Sequence, residues 1–233
     1  MRKVLCGVAL LSIVVNGFAH AEDSFETQLA SQCPGMSAWL KVQETKAAAK
    51  KETSDLLKPS QPALRLELLR MSDEDQKARN AAIADNGKHP AISAAVYAVD
   101  GRNLPRIKQI DATQGFPTRA QVGKDGVNAA WLLVQHADRD PTFQAHVLDE
   151  LRPRFRTGDV SAQDFSMLTD RVLTAQGKPQ RYGSQFETVD GQMRPKPMEA
   201  PTEVNQRRTA IGLPSMADYA CMLSMMYHMP VKP

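Results

Sequence analysis

Hydrophobic positions along most of this chain recur at helical spacing. The strongest run is Val127, Ala129, Ala130, Trp131, Leu132, Leu133, Val134 and Ala137, which surrounds a helix predicted over 125–138 on nearly every side. Such a pattern marks a buried helix, since a surface helix carries a single apolar stripe. Upstream, Gln43 to Lys51 is rich in the strong helix formers Ala, Lys and Glu. Leu64, Leu66, Leu68 and Leu69 predict a short helix over 63–71, and Ser72 with Asp75 three residues on reads as the cap of another that runs to Asp85. Asn86-Gly87 ends it. A helix from 91 breaks at Asp100-Gly101, where Asp100 caps a further one to about Ala112, and Gly115-Phe116-Pro117-Thr118 is a loop.

Asp140-Pro141 is a cap followed by proline at the first helical position, opening a helix to about Arg156. Ser161, with Asp164 behind it, opens the next, which stops near 176 before Gly177. The period then shortens to two at Tyr182, Ser184 and Phe186, and the turn dipeptide Asp190-Gly191 predicts a hairpin over 181–197. Helices near 202–211 and 215–228 close the chain around Gly212-Leu213-Pro214. The predicted class is mainly α, a single multi-helix globular domain over 63–233 with one small β-hairpin toward its C-terminal side. A helical N-terminal extension and a Pro-rich linker at Lys58–Pro62 occupy 22–62.

The first 21 residues read differently. Arg2 and Lys3 precede an apolar run from Val4 to Val15, and Ala19-His20-Ala21 is a small-x-small cleavage site. This is the pattern of a secretory signal peptide cut after about Ala21, which predicts a periplasmic or secreted protein. The run is shorter than the roughly 20 residues that span a bilayer, so no stable membrane insertion is expected after cleavage. Cys6 lies at the start of the run and is not placed for lipidation.

Cleavage removes two of 29 basic residues and none of the 26 acidic ones, leaving a net charge of +1. Near-neutrality argues against a nucleic-acid partner, which calls for a basic stripe. The mature chain keeps Cys33 and Cys221. Two thiols in an oxidising compartment suggest a disulfide; two unpaired thiols are the alternative, because spacing alone does not fix pairing. No CxxC, phosphate-binding glycine loop or dinucleotide fingerprint occurs, so no metal or other cofactor is expected. The methionines at 216, 222, 225, 226 and 229 read as core fillers or a partner surface.

Candidate chemistry gathers where the buried helix ends. Gln135, His136 and Asp138 fall in its last turn, and buried polar groups cost a few kcal/mol unless other polar groups meet them. Arg171 shares a stripe with Leu168, Val172 and Ala175; Gln180, Tyr182 and Gln185 cluster before the hairpin; Asp75, Gln76 and Arg79 sit together on an early helix, and Asp100 and Asn103 on the next. As a general acid or base His136 would need a carboxylate on one ring nitrogen. Asp170 or Asp138 could supply it from a neighbouring element, although Asp138 points away from His136 within one regular helix. Each residue also has a structural reading: Asp75 and Asp100 as caps, Asp75 with Arg79 as an i,i+4 pair, Arg171 with Asp138 or Asp170 as a buried ion pair.

From about Leu68 to Tyr219 the chain resembles a bacterial domain family of unknown function. The resemblance is carried by Asp75-Gln76-Lys77-Ala78-Arg79, Asp100-Gly101-Arg102-Asn103, Gly115-Phe116-Pro117, Gly123, Gln135-His136-Ala137-Asp138, Gln144, Asp170-Arg171 and Gln180-Arg181-Tyr182-Gly183-Ser184-Gln185. It departs at Phe116, often tryptophan in that family, and at Ser184, often threonine, which counts against Ser184 as an obligatory nucleophile. The resemblance implies positions and no activity. Three functions stay open. One is an exported domain that binds a small molecule or a protein. Another is a hydrolase, with His136, Asp138 and Asp170 catalytic and Gln135, Arg171, Gln180, Tyr182, Gln185, Asp75, Gln76 and Arg79 on the ligand. The last is a structural domain with a buried polar network.

Overall fold

The computed structural model describes residues 19–54, 58–85 and 88–232. The apolar run Val4–Val15 and the Asn86-Gly87 helix stop lie outside these residues. Helices α1 (Ala19–Gln32) and α2 (Pro34–Ser54) are followed by α3 (Pro62–Asp85), α4 (Pro90–Gln114), α5 (Arg119–Gln135), α6 (Pro141–Arg156) and α7 (Ala162–Ala175). Strands β1 (Phe186–Val189) and β2 (Gln192–Pro195), a 3-10 turn at Pro201–Glu203, α8 (Val204–Ala210) and α9 (Met216–Tyr227) complete the chain. Among the described residues the class is mainly helical with one antiparallel hairpin, and no described helix is long and apolar enough to cross a membrane. Of the described residues, 58–168 fall in one compact unit, and 19–54 with 169–232 in the other.

In the unit of residues 58–168, α5 is the central helix, packed against α3, α4 and α6. Every residue from Ala129 to Gln135 is buried, and each large aliphatic side chain so enclosed contributes about 1.5–3 kcal/mol. Thr118 caps α5 through a reciprocal capping box with Gln121, and Gly123 interrupts the helix at φ 73°, a left-handed conformation that favours glycine. Beyond it, Asp125 forms a forked ion pair with Arg65 of α3.

Two predicted helix breaks do not occur. Ser72 lies inside α3, because Leu68, Met71 and Asp75 continue one buried stripe, and that packing outweighs the weak preference of serine for a cap. Asp100 and Gly101 lie inside α4, whose buried face runs through Val99, Asn103, Ile107, Ile110 and Asp111. A helical glycine costs only about 1 kcal/mol, and the Asp100 carboxylate is engaged by Arg79 instead of capping. The predicted caps at Asp140 and Ser161 are present, accepting the N–H of Phe143 and Asp164.

In the other unit, Leu29, Cys33 and Met36 enter one core with Phe186, Met193, Val204, Met216, Tyr219, Met222 and Leu223. A disulfide joins Cys33 to Cys221, with 5.8 Å between their Cα atoms. Met225, Met226 and Met229 pack against the same core, so the methionines act here as fillers. The hairpin pairs Phe186 with Pro195 and Val189 with Gln192, shorter than the predicted 181–197. Asp190 and Gly191 both take positive φ, as a two-residue turn matched to strand twist requires. Residues 181–185 leave the ladder because their backbone serves another purpose, described below.

Candidate functional site

His136 follows the last residue of α5 and is 4% exposed. Its Nδ1 lies 2.8 Å from Oδ2 of Asp75, which is 1% exposed. Arg79, one turn beyond Asp75 on α3, places Nε 3.2 Å from both Asp75 oxygens and 2.9 Å from the same imidazole nitrogen. One nitrogen cannot donate to the carboxylate and accept from the guanidinium together. The carboxylate is the stronger acceptor, so the proton is assigned to Nδ1 and Arg79 donates chiefly to Asp75. Gln76 Nε2 donates to Asp75 at 2.9 Å. Arg79 Nη2 reaches Oδ1 of Asp100 on α4 at 2.5 Å. Three helices thus converge on a hydrogen-bonded cluster of two carboxylates, one guanidinium and one imidazole.

The two carboxylates respond oppositely to this setting. Burial pushes the Asp75 carboxyl up, but the hydrogen bond and charge of His136, with the charge of Arg79 and the Gln76 donor, outweigh it and hold the group below its usual range. Burial also pushes Asp100 up; Arg79 opposes, the charges of Asp75 and Asp138 reinforce, and the result is about 6. One carboxylate is firmly ionised and the other titrates near neutrality.

Gln144 of α6, 1% exposed, closes the end of α5. Its Nε2 donates to the carbonyls of Val134 and Gln135 at 3.1 and 3.2 Å and to Asp138 at 3.2 Å. The Gln135 and Asp138 positions are thereby fixed from within the same unit. Asn103, also buried, sits 3.5 Å from the Met71 carbonyl.

In the other unit, Asp170 is fully buried and accepts the backbone N–H groups of Arg181, Tyr182 and Ser184 at 2.7, 2.9 and 2.8 Å. Burial pushes its carboxyl up while those donors pull the other way. Gln180 Nε2 donates to the carbonyls of Gln185 and Lys196, and its Oε1 accepts the Gln185 N–H. Gln185 Nε2 meets Oγ of the buried Ser184 at 3.2 Å. Arg208, 2% exposed, donates to the carbonyls of Pro214 and Tyr182 and stacks 4.9 Å from the Tyr219 ring. Tyr182 and Arg171 are buried here as well. Residues 180–185 are therefore a loop wound around one carboxylate, which is why they do not extend the hairpin.

The carboxylate beside His136 Nδ1 is that of Asp75, read from sequence as a cap or ligand contact; Asp138 engages Gln144 and Asp170 holds the 181–184 backbone. Sequence reasoning passed over Arg208, and also a trio on α4 and α6. His146 Nε2 lies 3.2 Å from Asp111 Oδ2 and 3.2 Å from Glu150 Oε1. No local pattern announces the trio, since Asp111 comes from a different helix. A shallow groove of about 330 Å³ also lies along α3 and α4, lined by Leu64, Glu67, Arg106, Ile110, Thr113 and Gln114 among others.

Residues 62–232 match a protein family described as a family of unknown function, DUF6624. The chain belongs to this family. No curated protein and no solved structure matches it. The matched stretch takes in α3 through α9 and thus both polar clusters, while α1 and α2 precede it. Family membership gives no activity, so the functional argument rests on the geometry.

Proposed function

We propose that this member of DUF6624 is an exported binding domain whose His136 cluster is a rigid support and not a reaction centre. The carrying observation is that His136 is 4% exposed, with Asp75 on its Nδ1 and Arg79 bridging Asp75 to Asp100 inside the protein. A general acid or base has to reach the proton it moves, directly or through one water. A sealed cluster at the meeting of three helices, with the imidazole Nδ1 held by Asp75, serves positioning instead. Export is supported by the leader-like first 21 residues and by the Cys33–Cys221 disulfide, which persists in an oxidising compartment.

The recognition surface we assign is the groove along α3 and α4. Its volume of about 330 Å³ falls at the lower end of small-molecule sites. Leu64 and Ile110 give it an apolar floor. The Glu67–Arg106 ion pair, at 2.6 and 2.8 Å, and the Gln61–Gln114 hydrogen bond give it a polar rim. This suits a small ligand with one apolar face and a few hydrogen-bonding groups.

The test has two arms. Expressed with its own leader, the protein should begin at about Glu22 and carry the disulfide; a cytoplasmic product that keeps Met1 removes the export half. In solution, a fragment library followed by amide chemical shifts should perturb residues 61–67 and 106–114, and Ala63→Trp, which fills the groove, should abolish those shifts. Hydrolysis of an ester, phosphoester or peptide panel that vanishes in folded His136→Gln would overturn the binding reading.

A further inference from the structure

We infer that Asp111, His146 and Glu150 form a binding site for a divalent transition-metal ion, with zinc the best fit. The site is separate from the His136 cluster and from the groove's proposed ligand. His146 and Glu150 stand one turn apart on α6 and face Asp111 on α4. One ligand atom from each residue lies within 4.8 Å of the others. The donor set is one imidazole nitrogen and two carboxylate oxygens, a combination that zinc accepts.

The distances accommodate a metal. Both His146 Nε2 contacts are 3.2 Å, whereas charge-assisted N–H···O bonds run about 2.7–2.9 Å. Two ligands bound to zinc at about 2.0–2.1 Å in tetrahedral geometry stand about 3.3 Å apart, close to the two spacings that His146 makes. A single Nε2–H also has one proton for two acceptors, while a bound ion satisfies both.

A second observation is independent of the cluster's composition. Asp111 is 8% exposed, and its Oδ1 is a buried oxygen with no hydrogen-bond donor among the described residues. Its other oxygen is aimed at His146. A buried carboxylate oxygen left unanswered costs well over a neutral polar group, and a cation in front of the carboxylate answers it. Glu150 is already oriented: its Oε2 accepts the Phe116 N–H at 2.9 Å, which turns Oε1 toward His146. Ligand-orienting contacts of this kind are usual around metal sites. The His146 side chain is 57% exposed, so the ion has an entry path. Three protein ligands also leave the fourth position for water or an exogenous donor.

The experiment uses the mature, disulfide-bonded chain without an affinity tag. Zinc is titrated by calorimetry, cobalt(II) is added in parallel to read its visible bands, and thermal unfolding is followed with and without zinc. One equivalent should bind, cobalt should give intense tetrahedral bands, and zinc should raise the melting temperature. His146→Ala, an exposed change expected to fold normally, should weaken binding by at least about tenfold and remove the thermal shift. Glu150→Gln should weaken it in the same direction, and His89→Ala should leave it unchanged. Absence of stoichiometric binding, equal affinity in His146→Ala, or loss of binding in His89→Ala instead overturns the assignment.

Discussion

At the scale of single residues, two aspartates within one cluster hold opposite electrostatic roles. The pKa of Asp75 is lowered in the fold, so its contribution to stability is present above about pH 4 and is lost as pH falls through the folded value. That of Asp100 is raised to about 6. The folded protein then binds this proton more tightly than the unfolded chain, and the contribution of Asp100, full below about pH 4, disappears as pH rises through 6. Asp75→Asn removes the 1% exposed carboxylate that meets both His136 and Arg79 and should cost about 3–5 kcal/mol at pH 7, as breaking one side of a buried pair does. Asp100→Asn should be much milder at pH 7, and urea unfolding of this variant should lack the Asp100-linked fall in stability that the wild type shows between about pH 4 and 6. An unchanged pH slope in Asp100→Asn would show that another group carries it. That Gln135 and His136 would be buried is legible from the apolar residues around them. That Asp75 answers His136 is not, because 61 residues separate them and Asp75 has an equally good local reading as a cap.

At the scale of elements, local signals hold where a side chain has no tertiary competitor. Asp140, Ser161 and Ser215 cap their helices, and Asp190-Gly191 turns the hairpin. The same signals fail at Ser72 and at Asp100-Gly101, where long-range partners claim the residues: the core takes the stripe through Leu68 and Met71, and Arg79 takes the Asp100 carboxylate. Asp170 likewise draws residues 181–184 out of the strand period. Two glycines with similar sequence surroundings therefore behave differently. Gly101 is helical, and an added Cβ there would meet only the flexible end of Arg139, at 3.3 Å. Gly101→Ala should stabilise by up to about 1 kcal/mol. Gly123 has φ 73°, and its Cβ would stand 3.0 Å from the Asp125 carboxylate that holds Arg65. Gly123→Ala should cost about 1–2 kcal/mol. Denaturant midpoints for the two variants should shift in opposite directions, and shifts in the same direction would mean that the kink in α5 is not a requirement of this fold.

At the scale of the whole chain, covalent closure and packing act on the same helices. Cys33 and Cys221 lie 188 residues apart in sequence, and in the chain-entropy account a loop of that length gives about 5 kcal/mol, an upper figure because measured bridges deliver about 2–5. The bridge joins α1 and α2 to α9 through a core containing Leu29, Met36, Met222 and Leu223. Removing it frees α1 and α2 to leave that core, since no other covalent link near them spans the sequence gap. The core of residues 58–168 is instead built around α5 from contiguous sequence, and its local closure does not depend on the bridge. The double substitution Cys33→Ser, Cys221→Ser should therefore lower global stability by about 2–5 kcal/mol. Amide exchange should locate the loss: α1, α2 and α9 should lose protection by a larger factor than Ala129 to Val134 of α5. Equal loss at both places would mean that the two cores open as one cooperative unit, and no loss at α1 and α2 would mean that their apolar contacts suffice without the disulfide.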